Sequence, residues 1–145
     1  MKPSLPRAAP AAADRPPEPE ADQYWDWCQQ GELRIQRCAD CGHWVYFPAP
    51  RCHRCLSERL LWTRVSGVGV VYTATVVHHA LTAASKAKLP YVVAWVEIPE
   101  QDGLRVLANI IGCPPGEVRI GQSVVLEFGE NEAGQKVPVF RPLAN

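Results

Sequence analysis

CADC at residues 38–41 and CHRC at residues 52–55 together make the pattern C-x2-C-x10-C-x2-C, the stretch that decides how the chain begins to fold. Two residues separate the cysteines of each pair, which places both sulfurs on one tight turn, or knuckle. Two knuckles can surround one metal ion tetrahedrally, and Zn²⁺ is the usual ion in a four-thiolate site. The predicted zinc ligands are Cys38, Cys41, Cys52 and Cys55. Because four protein ligands leave no open coordination position, the pattern predicts one structural zinc ion per chain and argues against zinc catalysis.

The residues next to these cysteines fit a closed zinc site. Gly42 follows Cys41 directly and suits the left-handed turn that comes after a knuckle. His43 and His53 also lie beside cysteines and could compete for the metal. Thiolate outcompetes imidazole in a closed structural site, so we expect neither histidine to be a ligand.

The remaining cysteines and the N-terminal sequence bear on the cellular compartment. Cys28 and Cys113 stand outside the pattern, and we expect both to be small buried apolar residues. The N-terminus lacks the apolar core of a signal peptide, and no apolar run reaches the ~18 residues of a transmembrane helix. Together with the paired cysteine spacing, this predicts reduced thiols on zinc in a cytoplasmic protein that does not enter a membrane.

Composition and periodicity divide the chain into three segments. Residues 1–21 are rich in proline and alanine and are predicted to form a disordered tail. Residues 22–61 are predicted to hold a short helix, with Asp22 as its N-cap and Gly31 at its end, followed by a rubredoxin-like zinc ribbon. A ribbon of about thirty residues cannot bury enough apolar surface alone, so its stability must come largely from the metal.

Residues 62–145 have the alternating pattern of an all-β segment. The predicted strands lie at residues 67–77, 91–98, 104–111, 124–128 and 137–140. Glycines near the start of the long first strand fit a bend of the kind that small barrels need at their corners. Five strands with a connector between the third and fourth predict a Greek-key OB-fold barrel, although a five-stranded sandwich has a similar pattern. The predicted fold class is therefore mainly β: a short helix, a zinc ribbon and an OB-fold barrel.

The sequence does not predict a catalytic residue. His78 and His79 come at the end of the first predicted barrel strand, where neighbouring residues point to opposite faces, and they are expected to be solvated or edge residues. The aromatic residues Tyr72, Tyr91 and Trp95 lie on predicted strands with few basic residues nearby. The chain has 15 basic and 15 acidic residues and no net charge, whereas a nucleic-acid footprint usually shows a basic excess. These aromatics therefore indicate a core or a protein interface.

The order of the motifs resembles one known family, the zinc-ribbon/OB-fold proteins long catalogued as a domain of unknown function and found beside thiolase-fold genes. The resemblance covers residues 22–142. It rests on Trp25, GELRIQRCADCG at 31–42, Phe47-Pro48, Trp62, SGVG at 66–69, VYT at 71–73, GQSV at 121–124 and VPVFRP at 137–142.

The resemblance implies a non-catalytic accessory subunit. Members of this family support thiolases, acyltransferases or steroid side-chain aldolases of lipid metabolism in hetero-oligomers. In them the barrel helps to form an acyl-CoA channel, and the nucleophilic cysteine belongs to the catalytic subunit. The positions that carry over to this chain are the four zinc ligands, and no CoA-contact residue can be named. We expect the protein partner to cover an apolar patch that includes Tyr24, Trp25 and Trp27.

The chain also departs from the family pattern. Arginine often follows the Phe-Pro pair in the family, where this chain has Ala49. Family members often place proline after the third cysteine and glycine after the fourth, where this chain has His53 and Leu56. Two other functions stay open on the residues alone. One is a nucleic-acid- or ribosome-associated binding module, and the other is an autonomous enzyme that uses Cys113 or the histidine pair.

Overall fold

A computed structural model describes residues 18–143. Its helices are Pro19–Gln29 (α1) and Ala83–Lys86 (α2), with a 3₁₀ turn at Pro115–Glu117. Its strands are Arg34–Cys38 (β1), Trp44–Val45 (β2), Leu60–Arg64 (β3), Val68–Val77 (β4), Tyr91–Glu97 (β5), Arg105–Ile110 (β6), Ser123–Glu130 (β7) and Lys136–Pro142 (β8). Neither helix in residues 18–143 is long and apolar enough to cross a membrane.

The N-terminal helix starts earlier than predicted. Asp22 is not its N-cap, because the helix begins at Pro19 and the Asp22 N–H already donates to the Glu18 carbonyl at 3.0 Å. Proline suits this first position because its missing N–H would have no partner there. Glu20 and Asp22 add negative charge near the positive end of the helix dipole. Most of the predicted tail, residues 1–17, lies outside the described residues.

The ribbon is a three-stranded antiparallel sheet in the order β2-β1-β3. β2 is only two residues long, because the chain turns away after Val45 instead of pairing as far as Phe47. β3 pairs with all of β1, from Arg34 opposite Arg64 to Cys38 opposite Leu60. The first zinc knuckle therefore leaves the sheet directly from the end of a fully paired strand.

The last five strands form a closed barrel in the order β4-β5-β6-β8-β7. Closure confirms the predicted OB-fold barrel and excludes the sandwich. Gly69, near the start of the first barrel strand, lies where an added Cβ would come within 2.5 Å of Val96 Cγ1 and 2.8 Å of the Glu97 carbonyl. A register shift follows between Val71 and Thr73. Only glycine allows the two strands to approach this closely.

One hydrophobic core runs through helix, ribbon and barrel. Tyr24 and Cys28 of α1, Ile35 of β1 and Phe140 of β8 all belong to it. Cys28 is fully buried, as predicted, and burial raises the pKa of its thiol to about 11. Cys113 is half-buried and packs against the same core. Because one core includes all three parts, the segment boundaries at residues 61 and 62 stay a prediction.

Three glutamines hold the parts together by the same arrangement. Each side-chain amide both accepts from a backbone N–H and donates to the carbonyl of the same distant residue, which we call a glutamine clip. Gln101 holds Trp44 at 3.0 and 3.2 Å, and Gln36 holds Ala49 at 2.8 and 3.0 Å. Gln29 holds Lys136 at 3.0 and 3.1 Å. The clips thus join ribbon to barrel, ribbon strand to ribbon loop, and helix to barrel.

Removal of the ribbon–barrel clip tests this account. Gln101→Ala is expected to lower the free energy of unfolding by about 1–3 kcal/mol, because a half-buried backbone N–H and carbonyl both lose their partner. Gln30→Ala, at an exposed position after α1, should change it by less than about 0.5 kcal/mol. Urea unfolding of both variants measures the difference. Equal effects would show that the clip does not contribute to stability.

Candidate metal centre and aromatic face

The four predicted cysteine ligands come together at the open end of the ribbon. Their sulfurs all lie within 4.8 Å of one another. Cys38 Sγ and Cys55 Sγ are 3.5 Å apart, and Cys41 Sγ and Cys52 Sγ are 3.6 Å apart. A zinc ion with four sulfurs at about 2.3 Å requires sulfur–sulfur distances of about 3.8 Å. The arrangement therefore fits one tetrahedral zinc ion, and within residues 18–143 no histidine belongs to the cluster.

The two knuckles repeat each other hydrogen bond by hydrogen bond. The Gly42 N–H donates to the Cys38 carbonyl at 2.9 Å, and the Leu56 N–H donates to the Cys52 carbonyl at 3.0 Å. Both donors have left-handed backbone, with φ of +76° at Gly42 and +62° at Leu56. The turn predicted at Gly42 is thus confirmed. The second knuckle keeps the same conformation even though leucine replaces the family's glycine.

Backbone donors favour the thiolate form that zinc requires. The N–H of Cys41, and then that of Asp40, point at the Cys38 sulfur and lower the pKa of its thiol to about 6. The Arg54 N–H lies 3.4 Å from Cys52 Sγ. Hydrogen bonds to a thiolate stabilise the charged form that binds metal.

The inner side of the metal centre rests on a small core. Cys38 and Cys52 are buried with Val45, whereas Cys41 and Cys55 are exposed. On the outer side, Asp40 of the first knuckle binds Arg59 at 2.7 Å and accepts from the Ser57 hydroxyl, so it ties together the two knuckles. An exposed ion pair contributes little on its own, so a zinc ion bound by the four cysteines would be the main link between the knuckles.

The left-handed turn after the first knuckle requires glycine, and the free energy of unfolding of a substituted protein measures this requirement. Gly42→Ala is expected to lower the free energy of unfolding by about 1 kcal/mol, because an L side chain is strained at this φ. Gly116→Ala is the matched control, since its added Cβ meets open space and its φ is not left-handed, whereas the Cβ at Gly42 meets only Arg37 Nη2 in an ordinary contact at 3.8 Å. Thermal or urea unfolding of the zinc-loaded proteins compares the two. A Gly42→Ala protein as stable as Gly116→Ala would contradict the strain argument.

The apolar patch predicted on α1 is wrong in two of its three residues. Tyr24 is only 2% exposed and lies in the core. Trp27 is half-buried, and the Arg34 guanidinium lies 4.0 Å from its ring centre. Only Trp25, at 40% exposed, faces outward. The helix turns by about 100° per residue, and the side chain that faces the core is set by where α1 meets β8.

A continuous aromatic surface nevertheless begins at Trp25. We define the aromatic face as five exposed apolar side chains from the helix, the ribbon and three barrel strands: Trp25, Phe47, Tyr72, Trp95 and Leu107. Tyr24 and Tyr46 lie between them, with ring centres 5.4 Å from Tyr24 to Phe47 and 6.5 Å from Tyr46 to Trp95. The Leu107 N–H donates to the Tyr46 hydroxyl at 3.3 Å. The two inner tyrosines therefore fix where the outer side chains stand.

A second apolar feature is a groove along the outer side of β4. The groove measures about 780 Å³, and Tyr72 also belongs to the aromatic face. Its apolar lining includes Val68, Val70, Tyr72, Ile120 and Leu143. Such a volume and lining are typical of small-molecule sites.

The residues named for an autonomous enzyme lie outside the metal cluster. His78 and His79 are exposed beyond the end of β4, and Cys113 lies in the connector after β6. Tyr91 is half-buried on β5, whereas Tyr72 and Trp95 are exposed at 49% and 39%. The structure thus places two of the three strand aromatics on the surface.

Both halves of the chain match models of protein families. Residues 25–60 match "ChsH2, rubredoxin-like zinc ribbon domain", and residues 62–129 match "ChsH2, C-terminal OB-fold domain". The first match supports zinc as the ion of the four-cysteine cluster. A chain of a solved "Ltp2-ChsH2(DUF35) aldolase" has a TM-score of 0.78 and 36% sequence identity, over 88% of this chain and 98% of that chain.

Relatives with known sequences extend the likeness. The chain is 37% identical over 133 residues to a "Probable enoyl-CoA hydratase alpha subunit" of Thermomonospora curvata, over 91% of this chain. It is 40% identical over 96 residues, 63% of this chain, to a "DUF35 domain-containing scaffold protein" of Methanocaldococcus jannaschii. The chain spans 40% of the length of the first relative and 64% of the second.

Proposed function

Because the chain belongs to the DUF35 family of ChsH2-type zinc-ribbon and OB-fold proteins, we propose that it is an accessory subunit of an acyl-CoA-processing enzyme. In this proposal it binds and supports a thiolase-fold catalytic subunit in a cytoplasmic hetero-oligomer, and it supplies no catalytic residue itself. The observation that carries the proposal is the likeness to a chain of the Ltp2-ChsH2(DUF35) aldolase over nearly all of that chain. The relative named as a hydratase alpha subunit supports an acyl-CoA substrate class.

The metal centre has a structural part in this function. Cys38, Cys41, Cys52 and Cys55 would hold one zinc ion, and four thiolates leave no coordination position for substrate. The ion would fix the two knuckles and, through the clip between Trp44 and Gln101, the angle of the ribbon on the barrel. The subunit would then present a rigid surface to its partner.

The groove along β4 is the proposed wall of an acyl-CoA channel. Its volume of about 780 Å³ and its apolar lining suit an acyl chain or the thioester end of CoA. The groove is open to solvent on one side, so a partner subunit would complete it. In this arrangement the catalytic cysteine would approach from the partner.

The outer surface of β5 and β6 favours a protein partner over nucleic acid. OB-folds commonly bind single strands on this surface with exposed aromatics and basic residues. Here Tyr46 of the ribbon packs over Trp95 and binds Leu107, which occupies part of that surface. The basic residue Arg105 is paired with Glu97 at 3.0 Å. The surface therefore offers a phosphate backbone little net attraction.

Purification of the tagged protein from its native cell extract tests the proposal. We expect a stoichiometric thiolase-fold subunit by mass spectrometry and about one zinc per chain by metal analysis. Addition of an acyl-CoA to the purified complex should then slow hydrogen exchange at residues 68–72 of β4. Zinc together with RNA or ribosomal proteins, and no acyl-CoA enzyme, would instead establish the nucleic-acid function.

A further inference from the structure

The place where the partner docks can be argued from the aromatic face. We propose that the catalytic subunit binds this face through an apolar contact centred on Phe47 and Trp95. The inference rests on the proposed function, which supplies the partner, and it adds the surface. Trp25, Phe47, Tyr72, Trp95 and Leu107 are each between 39% and 49% exposed. Large aromatic side chains of this kind supply most of the binding energy in the centre of protein interfaces.

The face is already rigid before a partner arrives. Phe47 stands edge-on to Tyr46, with ring centres 5.5 Å apart, and Tyr46 is in turn edge-on to Trp95. The Tyr46 hydroxyl is fixed by the Leu107 N–H, and burial raises the pKa of this hydroxyl above its usual value. Trp95 and Leu107 are direct neighbours on β5 and β6. Because these side chains lose little conformational entropy on binding, more of the free energy of their contacts is available for affinity.

The charges around the face indicate the chemistry of the occupant. At its centre Arg105 is neutralised by Glu97 at 3.0 Å and stacks on Tyr72 at 3.6 Å. At its edge, α1 carries Glu20, Asp22 and Asp26 and no basic residue. An apolar centre with an acidic edge repels nucleic acid and anionic membranes. It complements a protein surface with an apolar centre and basic side chains around it.

The parts of the chain that build the face explain why the protein needs a ribbon. Phe47 comes from the loop between the knuckles, Trp95 from the barrel and Trp25 from the helix. The barrel presents three of the five side chains, and the helix and the ribbon loop present one each. A subunit that lost its zinc would still contain Trp95 and Leu107 but would no longer hold Phe47 beside them. Docking should therefore depend on the metal even though the metal does not touch the partner.

Single substitutions on the face test the inference. Phe47→Ser and Trp95→Ser remove exposed side chains, and zinc content and far-ultraviolet circular dichroism should confirm that both variants fold. Each is expected to weaken binding to the purified catalytic subunit by about tenfold or more. Leu81→Ser is the matched control, because Leu81 is fully exposed in the loop beyond the far end of the β4–β5 pair. It should bind within about twofold of the wild-type protein, because exposed side chains outside an interface contribute little to affinity.

The possible outcomes test the proposed docking surface and the proposed function separately. If the wild-type protein retrieves the catalytic subunit and the Phe47 and Trp95 variants do not, both proposals are supported. If the variants bind as tightly as wild type, the accessory function stands and the aromatic face is overturned as the docking site. If wild type retrieves no acyl-CoA enzyme, the proposed function fails and this inference fails with it. If Leu81→Ser lost as much binding affinity as the Phe47 and Trp95 variants, the inference would also be overturned, because the loss would not be specific to the aromatic face.

Discussion

Cys52→Ser is expected to abolish zinc binding and to unfold the ribbon. Cys52 is fully buried and shares a small core with Cys38 and Val45, so its sulfur is both a ligand and part of the packing. A serine hydroxyl is a poor ligand for a closed four-thiolate site, and metal binding is the main source of folding free energy in such ribbons. Metal analysis should show a fall from about one zinc per chain to near zero. Hydrogen exchange at residues 34–64 should become fast.

The same experiment contains its own controls. Cys113→Ser makes the identical change outside the metal cluster and should keep one zinc per chain. Within the Cys52 variant, β7 and β8 should lose less protection than the ribbon, because they pair with each other at seven positions inside the barrel. A Cys52→Ser protein that retains zinc and slow exchange in β1 would refute the assignment of Cys52 as a ligand.

Tyr24→Ala should lower the free energy of unfolding by about 3–5 kcal/mol, as expected for the loss of a large buried aromatic side chain. Tyr24 is 2% exposed and contacts the rings of Trp25, Tyr46 and Phe47. Its removal opens a cavity where helix, ribbon and barrel meet. Urea unfolding followed by fluorescence measures the change, and the zinc content shows whether the ribbon persists.

The next residue in the helix is the natural comparison. Trp25→Ala removes a larger side chain from the same helix at a position that is 40% exposed. We expect a loss of only about 1 kcal/mol, because the exposed position leaves mainly the edge-on contact with Tyr24 to be lost. If both variants lost a similar free energy of unfolding, the loss would come from the helix propensity of α1 and not from the packing of Tyr24.

The sequence predicted those features that depend on local spacing. Two residues between paired cysteines define a knuckle, and Gly42 marks the turn after it. The candidate metal centre could therefore be predicted from a few residues that are close in sequence. The barrel strands were located because β-branched residues and turn residues alternate along the chain. β2 ends at Val45 although Tyr46 and Phe47 also have strand propensity, and the rings of these two residues pack edge-on against each other in the aromatic cluster.

Features that depend on tertiary contacts were missed. Tyr24 and Trp25 are adjacent aromatics, and only the position of α1 against the barrel decides which is buried. The sequence around Phe47 and Leu107 did not indicate that these side chains lie on the surface, because an apolar residue in a loop or strand is usually expected in the core. The clips join residues 13, 57 and 107 positions apart, so no local pattern reveals them. Alternation along β4 places Val68, Val70 and Tyr72 on one exposed side, so this pattern could have revealed the apolar strand face.

The glutamine clips have a consequence for the solution conditions under which the three parts of the protein stay in place. A primary amide neither gains nor loses a proton in the physiological range, and an uncharged hydrogen bond is not screened by added salt. Had Gln29 and Gln101 been carboxylates or amines, acidification or a rise in ionic strength would loosen the helix or the ribbon from the barrel. With amides, the relative placement of the three parts should be the same at low and at high ionic strength.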